Sequence, residues 1–188
     1  MPSSSLYHKY YGSDLTRRQQ NDFYETPAVA TEALLERVLF RGSIIDPACG
    51  KGAIVRVLRR HYPKRLILYS DLVNYHFLGQ RVQDFLAMDW QVQNVITNAP
   101  YSLAIPFVYH AVKCAEEKVA MLFRLDFLQS RSRKRIFQET GLTDVFVFSY
   151  RIKFIIDGSA RGMVPYAWYL WDKTNPLKKN QPYRLWII

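Results

Sequence analysis

A carboxylate and two closely spaced glycines directly follow an apolar stretch, and this combination is typical of a ligand-binding turn. The segment 44–52 reads Ile-Ile-Asp-Pro-Ala-Cys-Gly-Lys-Gly. Gly50 and Gly52 can adopt a positive φ, and their missing side chains leave room for a ligand beside bare backbone. The negative charge of Asp46 excludes a phosphate cradle, and it favours a ligand that carries a cationic end and hydroxyl groups.

Two later apolar stretches also end in polar residues, the first in an acid and the second in a polar turn. Asp71 ends the stretch 65–71, about 20 residues beyond the glycines, which is the spacing at which an acid typically binds ribose hydroxyls. A turn aspartate without a ligand is the alternative. The polar turn ends the stretch 92–97 and consists of Asn98, Ala99, Pro100 and Tyr101. In open α/β sheets ligands bind outside the carboxyl ends of the strands, where all these residues are predicted to lie.

Strands and helices alternate along the chain, and this order predicts how these residues are positioned. The predicted strands cover 44–46, 65–71, 92–97, 118–123, 144–150, 151–156 and 166–171, with a loop at 157–165. Four helices are predicted. The first runs from the N-cap Thr26 and Pro27 to about 39, the second begins at Ile54, the third begins at Pro106, and a short fourth helix ends at Gly141. The pattern predicts an α/β fold with a mostly parallel seven-stranded sheet, helices on both faces and a C-terminal antiparallel hairpin.

The composition favours a basic protein in a reducing compartment. The formal net charge of +10 and the pI of about 9.7 indicate an anionic partner, nucleic acid first. Two unpatterned cysteines argue against a disulfide framework or a zinc site. No apolar run reaches the roughly 18 residues of a membrane span, so we expect a cytoplasmic protein. We also expect a flexible tail at 1–22 and one domain at 23–188.

Two of these segments carry a resemblance to a known family. Residues 46–52 resemble the first motif of S-adenosylmethionine (AdoMet)-dependent DNA adenine-N6 methyltransferases, and residues 98–101 are similar to the family's catalytic motif. The resemblance covers 23 to about 172, and the segments 123–136 and 166–172 also look like small phage- and prophage-borne members. It implies a Rossmann-like class I methyltransferase fold with strand order 3-2-1-4-5-7-6, and AdoMet as cofactor.

The resemblance assigns cofactor contacts along the predicted ligand edge. It implies that Tyr24 and Thr26 pack over the methionine end of AdoMet, with a simple helix start as the alternative for Thr26. It also implies that Asp84, with Asp89 as the alternative, accepts a bond from the adenine amine of the cofactor while the Phe85 ring packs on that base. The implied set is Tyr24, Thr26, Asp46, Pro47, Ala48, Gly50, Gly52, Asp71, Leu72, Asp84, Phe85 and Asn98.

The polar turn would bind the target amine. The side-chain oxygen of Asn98 can accept one amine hydrogen, and the carbonyl of Ala99 can accept the other. Pro100 fixes the turn without adding a competing N–H, and the Tyr101 ring offers a face on which an extruded base can stack. Ala99 stands where the family usually has proline, which implies a more flexible turn and lower activity.

Basic residues after the strand predicted at 118–123 and in the late loop are candidate DNA contacts. They are Arg131, Arg133, Lys134, Arg135 and Arg161. Such residues contact phosphates and carry no sequence information, and a solvated helix face is the alternative. No segment is long enough for a separate target-recognition domain, so we expect relaxed or short-site specificity, or a protein partner or homodimer that supplies recognition. The alternative functions are methylation of RNA adenine or protein glutamine, and an inactive subunit that binds AdoMet or nucleic acid.

Overall fold

An eight-stranded, mostly parallel β-sheet forms the centre of the structure. The computed structural model describes residues 25–89, 91–129, 131–156, 159–161, 164–178 and 181–188. The strands are β1 (Ile44–Asp46), β2 (Ile67–Asp71), β3 (Arg81–Val82), β4 (Val92–Thr97), β5 (Ala115–Arg124), β6 (Asp144–Val147), β7 (Phe154–Ile156), β8 (Ser159–Arg161), β9 (Tyr166–Asp172) and β10 (Arg184–Ile187). The main sheet has the order β10-β6-β9-β5-β4-β1-β2-β3, and β7 and β8 form a separate pair.

This order confirms the predicted fold class and corrects the number of strands. The order 3-2-1-4-5-7-6 is present, with β9 in the position of the seventh strand. β9 runs antiparallel to both β5 and β6, whereas the other neighbours pair in parallel. The sheet has eight strands instead of seven because β10 adds to the edge of β6, in a register that pairs Arg184 with Asp144.

Helices cover both faces of the sheet and bury two apolar layers. Within the described residues the helices are α1 (Ala28–Leu35), α2 (Ala53–His61), α3 (Ala104–Cys114) and α4 (Arg131–Thr140). On one face, α1 and α2 contribute Ala30, Leu34, Ile54, Val55, Val57 and Leu58 to a buried cluster. On the other face, α3 and α4 contribute Phe107, Val108, Ala111, Ile136 and Phe137 to a second cluster. The two layers place the sheet at the centre and leave its carboxyl edge for the connecting turns.

Short 3-10 turns at this carboxyl edge carry the candidate site residues. One turn, Phe85–Ala87, follows β3, a second, Tyr101–Leu103, follows β4, and a third, Leu125–Leu128, follows β5. Because β3, β4 and β5 all run in the same direction, the three turns lie at one end of the sheet.

Several predicted boundaries are corrected by the structure. Pro27 is the N-cap of α1 in extended conformation, so the Thr26 hydroxyl does not cap this helix as predicted. The predicted strand 151–156 is shorter in the structure, where it is β7, and it lies outside the main sheet. It pairs with β8, which belongs to the segment that was predicted to be a loop. The helix that was predicted to end before Gly141 does so, and Gly141 has φ +74°.

Some predicted residues cannot be placed. Tyr24 and the tail 1–22 lie outside the described residues, and only the backbone is described for Arg131 and Arg161. In the part of the chain that is described, no helix combines the length and the apolar content needed to cross a bilayer.

Candidate active site

The turn after β1 is bound to the end of β2 by backbone and carboxylate hydrogen bonds. The N–H of Cys49 donates to the carbonyl of Ser70 at 2.9 Å, and the N–H of Gly50 donates to Asp71 Oδ2 at 2.8 Å. Asp71 Oδ1 accepts from the N–H of Val73 at 3.0 Å. Asp71 therefore orders the backbone of both turns, and its predicted contact with ribose hydroxyls would use the remaining lone pairs of the same oxygens.

Both glycines have the predicted backbone conformation, but Gly52 does not leave the predicted space. Gly50 and Gly52 have φ +50° and +82°. A Cβ atom at Gly52, however, would lie 2.4 Å from ring atoms of Phe77. The expectation of open backbone at Gly52 is therefore wrong, because the Phe77 ring from the loop after β2 fills that space. This glycine allows the loop to pack on the first turn of α2.

Asp46 is a buried carboxyl group without a full set of hydrogen bonds. Its side chain is 1% exposed, and Oδ1 accepts from the N–H of Ala48 at 3.4 Å. Its Oδ2 and the Thr97 hydroxyl are both buried without a hydrogen bond of ordinary geometry. Burial, with a smaller contribution from the nearby charge of Asp71, raises the pKa of Asp46 to about 7, against the lowering effect of the Thr97 hydroxyl and the Ala48 N–H. A cationic ligand would offset the cost of ionising this group.

Asn98 follows β4 and is held by a residue far away in the sequence. Its Nδ2 donates to Thr26 Oγ1 at 3.0 Å, and Thr26 itself is 5% exposed. Ala99 is buried, and Pro100 extends the backbone into the turn that begins with Tyr101. The bond from Thr26 fixes the plane of the Asn98 amide, and nothing in the local sequence indicated this contact.

Tyr101 is surrounded by charged side chains from the turn after β5. Its hydroxyl donates to Asp126 Oδ1 at 3.2 Å, and Arg124 Nη2 donates to Asp126 Oδ2 at 2.6 Å. The guanidinium carbons of Arg124 and Arg133 lie 5.3 Å and 5.6 Å from the centre of the Tyr101 ring. The one sequence signal that Arg124 and Asp126 carry for this role is their position at the end of a predicted strand.

Asp84 and Phe85 have structural roles at the end of β3. Asp84 Oδ1 accepts from the N–H of Leu86 at 2.9 Å and caps the short turn. The Phe85 ring is 2% exposed and contacts the rings of Phe107 and His110. Phe85 therefore belongs to the core beneath α3, and a contact of its ring with the cofactor's adenine would need this part of the core to open.

The remaining predicted cofactor residues lie on the turns after β1 and β2. Pro47 is buried, whereas Ala48 and Leu72 are half-buried. Tyr75, on the loop after β2, has no sequence signal that marks it as a site residue. Burial, together with the negative charge of Asp71, raises the pKa of its hydroxyl.

The predicted basic cluster is not one surface. Of the cluster members whose side chains the structure describes, Arg133, in the first turn of α4, is the one that reaches Tyr101, and its Nη1 donates to the carbonyl of Asp126 at 3.0 Å. Arg135 instead pairs with Glu139 on the outer face of α4, and Lys134 is exposed. The structure therefore separates Arg133 from its neighbours in sequence.

A cavity of about 650 Å³ lies at the other end of the sheet, opposite the carboxyl ends of the parallel strands. The residues that line it include Arg37, Lys118, Asp144, Asn175 and Trp186, near the amino ends of the parallel strands. None of the predicted site residues whose side chains are described lines this cavity, which therefore lies apart from the candidate active site.

Comparisons with solved structures give the fold of the chain. A Listeria monocytogenes protein, provisionally described as a class I S-adenosylmethionine-dependent methyltransferase, has a TM-score of 0.65 at 14% identity over 98% of this chain and 71% of that one. A Vibrio vulnificus protein, provisionally described as the modification subunit of a type I restriction enzyme, has a TM-score of 0.64 at 13% identity over 98% of this chain and 55% of that one. A Pyrococcus horikoshii protein, provisionally described as an RNA methyltransferase, has a TM-score of 0.61 at 15% identity over 82% of this chain and 88% of that one.

Comparisons of sequence add no closer relative. No model of a protein family matches the chain, and no curated protein sequence matches it. The chain spans about half of the Vibrio subunit, 55% of its length. At 13–15% identity these likenesses are likenesses of fold, and the chain has the Rossmann-like fold of class I AdoMet-dependent methyltransferases.

Proposed function

We propose that this protein transfers a methyl group from AdoMet to the N6 amine of adenine in DNA. The observation that carries the proposal is the polar turn after β4, where Asn98 is fixed by Thr26 at 3.0 Å beside the Tyr101 ring. This turn lies at the same end of the sheet as the carboxylates of Asp46 and Asp71. An amide, a backbone carbonyl and an aromatic ring beside a carboxylate-lined turn match the needs of an aminopurine and a cationic cofactor.

The residues after β1 and β2 fit AdoMet. When bound, AdoMet supplies an activated methyl group on its sulfonium sulfur. Its cationic charge fits the buried and unbonded Oδ2 of Asp46, since a nearby cation lowers the free energy of ionising that carboxyl group. Its ribose hydroxyls fit Asp71, which ends the neighbouring strand β2. Gly50 keeps this turn tight, with its N–H on Asp71.

Asn98 and Ala99 would orient the amine for transfer. The amine lone pair is delocalised into the adenine ring, so the nitrogen becomes a better nucleophile when its hydrogens are drawn out of the ring plane. Asn98 Oδ1 would accept one hydrogen and the Ala99 carbonyl the other. The nitrogen bonds to the methyl carbon as the bond from that carbon to sulfur breaks, and the nitrogen then loses a proton to solvent. Positioning supplies most of the rate, and no strong base is required.

DNA is favoured by the charge of the protein and by one of its structural neighbours. The net charge of +10 favours a polyanion. The likeness to a restriction-enzyme modification subunit supports DNA, and the chain spans only 55% of that subunit. We also propose that a protein partner or a second copy supplies recognition of the target sequence, since that neighbour is itself described as a subunit of a larger enzyme.

Asn98→Ala tests the role of the polar turn. We expect the variant to lose methyl transfer about a hundredfold or more, since one well-placed group of this kind typically contributes that much. AdoMet affinity, measured by calorimetry, should stay within a fewfold of the native value. Asn175→Ala, the same change beside the cavity at the opposite edge of the sheet, is the matched control and should leave transfer unchanged. Native activity in Asn98→Ala would refute the assignment.

RNA adenine is the second candidate substrate, because a structural neighbour from Pyrococcus horikoshii is provisionally described as an RNA methyltransferase. The two substrates share the amine and the ring, so the same turn could serve both. Transfer assays that offer duplex DNA, single-stranded DNA, RNA and a protein lysate in parallel separate these substrates. Transfer only to protein would instead support the glutamine alternative.

A further inference from the structure

Tyr101, Arg124 and Asp126 form one rigid unit at the candidate active site. Both carboxylate oxygens of Asp126 are engaged, Oδ1 by the Tyr101 hydroxyl at 3.2 Å and Oδ2 by Arg124 Nη2 at 2.6 Å. The guanidinium carbon of Arg124 lies 5.3 Å from the centre of the Tyr101 ring. Charge-assisted hydrogen bonds and cation–π contacts together fix the ring against rotation.

Arg133 completes this unit from a different element. Its Nη1 donates to the backbone carbonyl of Asp126 at 3.0 Å, and its guanidinium carbon lies 5.6 Å from the Tyr101 ring and 4.7 Å from the Phe127 ring. Phe127 is 1% exposed and contacts Tyr101 edge to face. α4 holds Arg133 in place, because its next turn buries Ile136 and Phe137 in the core.

The two arginines differ in how their charge is compensated. Arg124 is paired with the Asp126 carboxylate. Among the described residues, by contrast, no carboxylate lies within 4.0 Å of the Arg133 guanidinium, which contacts a carbonyl and two rings. The unit therefore carries an excess positive charge that is centred on Arg133 and adjacent to an aromatic face. That combination matches a phosphate attached to a flat base.

We propose that Tyr101, Arg124, Asp126 and Arg133 form a cage for one extruded nucleotide, so that the substrate of this site is a nucleic acid and not a protein side chain. The inference rests on the proposed function and deepens it. In the cage, the base stacks on Tyr101, Arg133 binds the phosphate of the extruded nucleotide, and Asp126 positions the ring and Arg124. A glutamine side chain is narrow and uncharged, and it would leave the ring face and the charge of Arg133 without a partner.

Arg124 retains a donor for the base or sugar of the nucleotide. Its Nε is shielded from water and has no hydrogen-bond acceptor among the described residues. An unsatisfied buried donor destabilises a protein until an acceptor binds it. A base held on Tyr101 presents acceptor atoms at its edge, and Arg124 is held beside that ring by Asp126. Arg124 is therefore a candidate for selecting the base that enters the cage.

The test uses the full chain and measures two quantities, the Michaelis constant for unmethylated DNA and the salt dependence of binding to a labelled oligonucleotide. For Arg133→Ala we expect the Michaelis constant to rise about tenfold, as for a lost charged hydrogen bond. The slope of log affinity against log salt should fall by about 0.9 for duplex DNA, or about 0.7 for a single strand. Arg133→Lys should restore the slope. Single-stranded RNA, offered as a second probe, shows which nucleic acid binds more tightly.

The controls separate a role in binding from damage to the fold. Arg37→Ala removes the same charge at the opposite edge of the sheet, where the side chain is 45% exposed, and should change neither quantity. Asp126→Asn should tighten DNA binding, because it removes a negative charge, and should lower kcat about tenfold, because Tyr101 and Arg124 lose their common anchor. Unchanged AdoMet affinity in each variant verifies that the fold is intact.

The outcomes distinguish the inference from the proposed function. If the native protein methylates DNA and Arg133→Ala behaves like Arg37→Ala, the cage is wrong and the function stands. If the native protein transfers no methyl group to nucleic acid but Arg133→Ala still lowers the salt slope, the cage stands and the function is wrong. Transfer to protein alone, with a salt slope that Arg133→Ala does not change, would overturn both.

Discussion

The buried carboxyl group of Asp46 should make the ligand-free protein less stable at high pH, and Asp46→Asn should remove this loss. The side chain is 1% exposed, and burial raises its pKa from the ordinary value of 3.8 to about 7. Between these two values the folded protein binds more protons than the unfolded chain, so the free energy of unfolding falls as the pH rises. The loss begins above pH 3.8 and is complete above about pH 7.

The size of the effect follows from the two pKa values. Each pH unit between them corresponds to about 1.4 kcal/mol, which gives about 4 kcal/mol for the whole interval. Roughly two of these units lie above pH 5. The stability difference between Asp46→Asn and the native protein should therefore grow by about 3 kcal/mol from pH 5 to pH 8. For a chain of this length that is about 6–12 °C in Tm.

Urea denaturation of the ligand-free proteins, monitored by tryptophan fluorescence at several pH values between 5 and 8, measures this difference. The comparison at each pH cancels the contributions of the other titrating groups. Asp89→Asn is the matched control, because the Asp89 side chain is 93% exposed and should give a difference that does not depend on pH. A stability difference for Asp46→Asn that stays constant from pH 5 to pH 8 would refute the reasoning.

Three further predictions concern the same edge of the sheet. In the proposed site AdoMet binds beside ionised Asp46, whose pKa is about 7. Affinity measured by calorimetry should therefore fall about tenfold per pH unit below pH 7, and a flat profile would contradict this. Gly52→Ala should destabilise the protein by more than the roughly 1–2 kcal/mol of strain in a left-handed backbone, because the new methyl group also clashes with the Phe77 ring. In a Phe77→Ala background only the backbone strain should remain. Equal shifts of the urea midpoint in both backgrounds would exclude the clash. Thr26→Val should lower kcat about tenfold, because Asn98 loses the hydroxyl that accepts its amide hydrogen bond. Thr26→Ser keeps the hydroxyl and should leave kcat unchanged. Unchanged steady-state kinetics in Thr26→Val would argue against this role.

The parallel part of the sheet could be predicted because its signals are local. The apolar run of β4 was predicted with the bounds that the structure has, Val92–Thr97. The buried face of α2 follows from the spacing of its apolar residues, and the end of α4 follows from Gly141. In these elements each residue's type reports its own burial or backbone conformation, so no knowledge of distant residues was needed.

The eighth strand could not be predicted because its residues show no pattern of burial. Leu185 and Ile187 in β10 are 54% and 63% exposed. The strand is held by backbone pairing with β6, together with the ion pair between Arg184 and Asp144. Pairing at an edge depends on where the rest of the chain leaves an open strand, and four residues of sequence do not encode that.

The candidate site was predicted in its position but not in its contacts. The turns after β1, β2 and β4 do lie at one end of the sheet. Two contacts were not predicted from the sequence: the bond between Thr26 and Asn98, and the Phe77 ring that fills the space expected to be open at Gly52. Thr26 and Asn98 are 72 residues apart, and such contacts arise only when separate elements pack.

The most direct test of the proposed function is the chemical identity of the methylated product. Unmethylated duplex DNA is incubated with the full chain and methyl-labelled AdoMet, digested to nucleosides and separated by chromatography. We predict that the label is recovered as N6-methyl-2′-deoxyadenosine with the native protein and is lost with Asn98→Ala. Label found only on cytosine, on RNA or on protein, or label that persists in the variant, would contradict the proposal that this turn methylates adenine in DNA.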